Sequence, residues 1–409
     1  VLVPPPKRGP PPRPQAPLPS HPAIPKTQPC SMLLPSPTVV SLRSMPRVHV
    51  LLDYEVCLLA GVCGNKARKL LALASALDAP EALPDHAQLV SHGGPQSNAM
   101  LALARLAAAH GGQLTYHTTP LPRWLRESPN GNLAAALACG MRLCEHPSRQ
   151  AYHDACTKAA AAAKQAATSS GRSSWIDRGG STSDAEPGLA ALALDIERWM
   201  VGRADEALPT AHAPSTGLQL AYLPILQCTV LLSESHTASC GLLDHRALMN
   251  AIPLADAYQF TDASDIASAD PDVFVVVPAG TGTTALFLAR HVPLSSRVLA
   301  VPCVGAGAYL QQQMLDLDQA SRRKFEISDS QNRCVSVHRF PQIIPPPRRF
   351  QVQFGSVSHE LLHSWRHARS HGVLLDLVYG PVAWAALRAH RWRNRRSWRR
   401  ARDLSLIHI

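Results

Sequence analysis

The chain has 409 residues, 46% of them hydrophobic, enough to bury a sizeable core in two lobes. Its net charge of +11 sits on the flanks. Residues 1–50 hold six Lys or Arg and no acid, and residues 381–409 hold eight Arg and one Asp. Taking that +6 and +7 from +11 leaves −2 for residues 51–380, which argues against a body built to bind nucleic acid, and no apolar run reaches the ~18 residues of a membrane span.

Residues 1–40, opening "VLVPPPKRGPPPRPQAPLP", are too proline-dense for helix or sheet and read as a disordered leader. There is no initiator Met, so the start reads as a fragment. A basic, acid-free leader fits an organelle transit peptide or an unstructured tail. Ten cysteines, scattered singly from Cys30 to Cys334 with no CxxC pair, read as reduced thiols of an intracellular protein, in the cytoplasm or an organelle.

Order is predicted from Arg47. "GVCGNKARKLLALASAL" (Gly61–Leu77) places Lys66, Arg68 and Lys69 where a helix begins. An amine at a helix N-terminus sits in a positive field that disfavours its charged form, as a reactive lysine requires. The bland alternative is a solvated basic face, and Lys69 reads as a solvated neighbour or a phosphate contact. "HAQLVS" reads as a buried strand, "GGPQSN" as a turn, and "AMLALARLAAAH" as a helix ended by Gly111-Gly112. Ser97 and Asn98 stand either as helix caps or facing a ligand beyond the strand ends. Strands and helices then alternate through "QLTYHTT", "NLAAALACG", "MRLCEH", "YHDACTKAAAAAKQAA" and "SSWID", the pattern of parallel βαβ units.

The alternation fails over about residues 203–272, which read as an irregular insertion. It returns with "DVFVVVPAGTGTTALFLARHV", a strand, a glycine loop and a helix. Gly280 and Gly282 permit close backbone approach to an anion, the helix N-terminus favours a phosphate, and Thr281, Thr283 and Thr284 add hydroxyls. No GK[ST] follows, which excludes a nucleoside-triphosphate loop. A plain strand–helix turn is the structural alternative. In "HSWRHARSH", His363, His367 and His371 share a helix face, which reads as a solvated basic face rather than a metal site. Residues 388–409 interleave Arg with Trp392 and Trp398, and the closing "LSLIHI" looks foreign, so this stretch reads as an artefactual basic tail.

GNKxRKL, SxGGxQSN, the glycine loop and "GVLLDLVYGPVAW" (Gly372–Trp384), in that order, resemble the 1-aminocyclopropane-1-carboxylate deaminase and D-cysteine desulfhydrase family of pyridoxal-phosphate enzymes. "WIDRGGSTSDAEPGLAALALDIE" (Trp175–Glu197) resembles that family's strand, GG turn and helix. The resemblance covers roughly Arg47–Leu387. It implies a two-lobed α/β type II fold with a large cofactor domain (41–69 plus 177–387) and a small domain (70–176). It also implies pyridoxal 5'-phosphate as cofactor and a small amino acid as substrate, with no nucleic-acid or membrane partner and homodimerisation left open. Residue by residue, Lys66 matches the lysine that carries the cofactor, Asn98 the asparagine bonded to the ring hydroxyl, and Ser97 the serine facing the substrate. Gly280, Thr281, Gly282, Thr283 and Thr284 match the phosphate loop, and Tyr379 the tyrosine over the cofactor. No metal is implied.

The chain departs from the family pattern at four places. Gly380 follows the tyrosine where a Glu or Thr is common, Phe354-Gly355 occupies the region of a second active-site tyrosine, Leu52 replaces a basic residue, and the lysine usual after the tyrosine motif is absent, with Val382 nearby. A missing carboxylate weakens the electron sink, so β-elimination from D-cysteine is expected ahead of ring-opening deamination. A non-catalytic relative and a basic RNA-associated protein are the other readings.

Overall fold

A computed structural model describes residues 37–42, 45, 48–52, 57–58, 61–78, 88–170, 173–207, 218–223, 228–233, 252–253, 273–293, 295–328, 339–351, 354–355, 358–394 and 403–408. Fifteen strands run through them: β1 (Thr38–Ser41), β2 (Val48–Leu52), β3 (Cys57–Leu58), β4 (Val62–Cys63), β5 (Gln88–His92), β6 (Gln113–Thr118), β7 (Arg142–Glu145), β8 (Ser173–Ile176), β9 (Leu218–Leu223), β10 (Cys228–Ser233), β11 (Ile252–Pro253), β12 (Val273–Ala279), β13 (Ser296–Pro302), β14 (Gln342–Ile343) and β15 (Asp403–His408). Two sheets carry the architecture. One is all parallel in the order β7-β6-β5-β8. The other has the order β1-β2-β15-β12-β13-β14 and is parallel apart from the antiparallel pair β1–β2.

Every residue of β12, "VFVVVPA", is buried, as a strand covered on both faces by helices requires. Val273, Val275 and Val277 pack against the helices Glu186–Ala207, Thr283–His291 and Gly307–Ser328. Phe274 and Val276 pack on the opposite face with Trp384 and Leu387 of helix Gly380–Arg393. The smaller sheet packs on helix Asn98–Ala109 through Leu89, Leu114, Met100, Leu103 and Leu106. Ser97 caps that helix, its hydroxyl accepting the Ala99 and Met100 N–H groups, and Gly111 ends it at φ +68°.

In both sheets the chain turns back beside a central strand. In the smaller sheet β6 and β7 are laid on one side of β5, then β8 on the other. In the larger, β13 and β14 lie on one side of β12 and β15 on the other. The loops that leave the carboxyl ends of β5, β8 and β12 are therefore the expected ligand-binding loops of such sheets.

Three expectations are corrected. The leader was expected to be disordered through residue 40, but Thr38–Ser41 pairs with β2. Residues 388–409 were read as an artefactual basic tail, yet β15 fills the slot between β2 and β12, where both ladders need a parallel partner. The stretch 203–272 was read as irregular. Helix Glu186–Ala207 enters it, and β9, β10 and β11 form a small antiparallel sheet within it. Short apolar runs such as "LQLAYL" and "CTVLLS" form such strands without a clear period. The rest of that stretch, and residues 1–36 of the leader, lie outside the described residues.

A buried ionic cluster clamps the helices behind β12. Glu186 accepts from Arg290 (2.9 Å), His291 (3.0 Å) and Ser321 (3.2 Å), and Arg290 also donates to Asp318 at 2.6 Å. Burial alone would raise the Glu186 carboxyl, but its bonds to His291 and Arg290 hold it below the usual range. Glu186→Gln leaves part of the Arg290 charge uncompensated and is expected to cost about 3–5 kcal/mol, read as a lower urea midpoint. A cost under about 1 kcal/mol would mean the cluster is not a clamp.

Candidate active site

A cavity of about 700 Å³ opens at the loops named above, and Lys66, Ser97, Asn98, Gly280, Thr281, Gly282, Thr283, Thr284 and Tyr379 all line it. Lys66 is the second residue of helix Asn65–Lys69, which follows Gly64 at φ +64°. Its side chain opens onto the cavity but is otherwise surrounded by protein. Burial lowers its amine to about 8, and the Asp376 carboxylate opposes part of that fall. Lys69, read as a solvated neighbour or a phosphate contact, is not solvated: it is buried and lines the same cavity one helical turn on. Burial first, then the Lys66 charge, push it well below the ordinary lysine range.

Opposite stands the loop after β12. Gly282 has φ +77° and starts helix Thr283–His291. The Thr281 and Thr283 hydroxyls lie 3.0 Å apart, Thr283 donates to Ser181 at 3.0 Å, and Thr284 donates to the Asn65 amide oxygen at 3.0 Å. The last bond ties the loop to the residue before Lys66. A Cβ added to Gly280 would lie 3.3 Å from the Tyr379 hydroxyl, so that ring stands directly over the loop.

Tyr379 is held by Asp376, whose carboxylate accepts the N–H groups of Val378 (2.8 Å), Tyr379 (2.7 Å) and Gly380 (3.0 Å). Burial, then the nearby Cys303 and Asp376, raise its phenol above the ordinary value, so it is a neutral proton donor. Phe354 meets it edge-on at 5.3 Å and brings no hydroxyl. A Cβ on Gly380 would fall 2.6 Å from Leu375 Cβ, so the turn has no room for the carboxylate missing there. Ser97 caps a helix and also lines the cavity. The Asn98 amide oxygen accepts from Asn132 at 2.7 Å.

Sequence reasoning missed Asp376, Arg178, Tyr152 and Tyr309. Asp376 had a signal, an Asp three residues before Tyr379 in a turn. The others come from separate elements and carry no shared motif. Of the three histidines, His367 is not simply solvated: its ring accepts from Trp384 at 3.1 Å and stacks on His371. Among the described residues no group of three or more His, Cys, Asp or Glu is placed to hold a metal, and no helix is long and apolar enough to cross a membrane.

No protein-family model and no curated protein match the chain. Solved structures do. It is similar to an ACC deaminase homologue, at 15% identity and a TM-score of 0.58 over 94% of this chain and 91% of that one. It is also similar to a hydrogen sulfide-producing enzyme from Fusobacterium nucleatum (10%, TM-score 0.48, 92% and 96% covered) and to O-acetyl serine sulfhydrylase isoform 3 from Entamoeba histolytica (10%, 0.47, 95% and 90%). The first likeness shows a shared fold, the two-sheet α/β architecture expected from the sequence.

Proposed function

We propose that the protein is a pyridoxal-phosphate-dependent lyase or deaminase of small amino acids, and that its preferred reaction is D-cysteine desulfhydrase-like β-elimination to pyruvate, ammonia and sulfide. The observation that carries this reading is the Lys66 amine, lowered to about 8, sharing one cavity with the Gly280–Thr284 loop. The residues fit the cofactor. The glycine loop brings its backbone to the cavity, the N-terminus of helix Thr283–His291 offers N–H donors, and an amine stands ready for the aldehyde. The shared fold of an ACC deaminase homologue supports the architecture.

Bound there, pyridoxal phosphate would supply an electron sink for negative charge at Cα. Lys66 Nζ takes the Cα proton. The Cβ–S bond then breaks with its electron pair on sulfur, and the neutral Tyr379 hydroxyl can donate a hydrogen bond to the departing group. The enamine released afterwards hydrolyses to pyruvate and ammonia. The Asp376 turn fixes the tyrosine, and the Thr284–Asn65 bond fixes the lysine helix against the loop.

The alternative within this class is 1-aminocyclopropane-1-carboxylate deamination to 2-oxobutanoate and ammonia. That substrate has no Cα proton, so its ring must be opened by a base or nucleophile. Ser97 is engaged as a cap, Phe354 offers no hydroxyl, and Gly380 supplies no carboxylate. D-cysteine turnover is therefore expected to exceed ring opening. Pyruvate plus sulfide measured against 2-oxobutanoate checks this. Faster 2-oxobutanoate formation would reverse the preference, and no product from either substrate would favour a non-catalytic relative.

A further inference from the structure

Arg178 follows β8 at the turn-back point of the smaller sheet and lines the cavity. Its Nη1 donates to the Tyr309 hydroxyl at 3.0 Å and its Nη2 to the Tyr152 hydroxyl at 2.9 Å. Tyr152 is buried and bonded in turn to His92 at 2.6 Å, and the His92 ring stacks on Trp175. The guanidinium is thus fixed by neutral hydroxyls. Its Nε has no hydrogen-bond partner, and no carboxylate pairs with it among the described residues.

Other buried arginines here are satisfied differently. Arg290 is paired with Glu186 and Asp318, and Arg68 with Asp195. Arg339 donates to three backbone carbonyls. A cation fixed in a cavity wall without an anion is poised for an anionic ligand. The lining as a whole agrees. Among the described residues it includes Lys66, Lys69, Arg178 and, exposed at the rim, Arg149, but no Asp or Glu. A cofactor phosphate at helix Thr283–His291 and a substrate α-carboxylate at helix Asn98–Ala109 would each have a helix N-terminus, leaving Arg178 and Arg149 for a third anion.

We propose that Arg178, assisted by Arg149, receives a second anionic group on the substrate, so that an amino acid with an anionic β-substituent, the thiolate form of D-cysteine included, binds tighter than its neutral isostere. This rests on the amino-acid reading of the cavity and narrows it. An anionic substituent is held by Arg178 and, on elimination, departs with the electron pair of its bond to Cβ, whereas a neutral one leaves the guanidinium without a counter-charge.

The test uses the full chain with pyridoxal phosphate added and compares aspartate with asparagine, isosteres differing in charge, in both enantiomers. Calorimetry reads the dissociation constants. Aspartate is expected to bind about tenfold tighter than asparagine, and Arg178→Gln to bring the two within about twofold by weakening aspartate alone. Arg178→Lys keeps the charge without the fork and is expected to retain a smaller preference, which also serves if the Gln variant fails to fold. Equal binding of both to the unaltered protein would overturn the proposal. So would equal weakening of both in Arg178→Gln, which would place Arg178 on the α-carboxylate. The cofactor reading is judged separately, by absorbance near about 410–430 nm. Without that band the cofactor reading fails, and the aspartate-to-asparagine ratio still decides the role of Arg178.

Discussion

Lys66→Ala is expected to abolish covalent cofactor capture and to lower turnover by about 10²–10⁴-fold or more, the range for loss of a positioned acid–base group. The protein should still fold. The Lys66 side chain faces the cavity and donates no hydrogen bond among the described residues, so its removal orphans no acceptor. What disappears is an amine that burial keeps half-neutral near pH 8, where an ordinary lysine is almost wholly charged. Lys69→Ala should behave differently, lowering affinity for the anionic cofactor while leaving covalent capture in place. Loss of capture in the Lys69 variant with retention in the Lys66 variant would reverse the two roles.

Gly282→Leu carries the second large effect. The sequence suggests that a side chain at position 282 would obstruct approach to the phosphate. The structure gives a different cause. An added Cβ would lie 2.3 Å from Met314 Cγ and 3.0 Å from Leu310 Cδ1, inside the packing of helix Gly307–Ser328, and φ +77° is itself strained for any L-residue. The loop must lift away, and the donors of Thr281, Thr283 and Thr284 move with it. Losing even one or two charge-assisted bonds weakens cofactor binding by about 100-fold. Gly282→Ala combined with Met314→Ala should recover part of that loss by removing the clash but not the backbone strain. Unchanged affinity in Gly282→Leu would exclude the loop from phosphate binding.

Much of this was legible from local patterns. The run "DVFVVVPAGTGTT" announces a buried strand, a glycine loop and a helix because each signal is contained within a few residues. The order of GNKARKL, GGPQSN and the loop likewise identified the ends of elements that meet at one cavity. What was hidden depends on contacts between segments far apart in the chain. Arg178 reads as one charged residue before a GG turn. Only the position of β8 beside β5, with Tyr152 and Tyr309 arriving from two helices, makes it a fixed cation in a cavity wall. Lys69, beside two other basic residues, reads as a solvated neighbour or a phosphate contact, and tertiary packing removes the first of these. The closing "LSLIH" has no local partner, since β2 and β12 that flank it are drawn from distant parts of the chain.

The most direct test of the central claim, that the Lys66 amine holds the cofactor, is borohydride reduction of the protein loaded with pyridoxal phosphate, followed by peptide mapping. The expected result is a pyridoxyl group fixed on Lys66, directly after Gly64-Asn65. A label on Lys69, or none on either lysine, would contradict it.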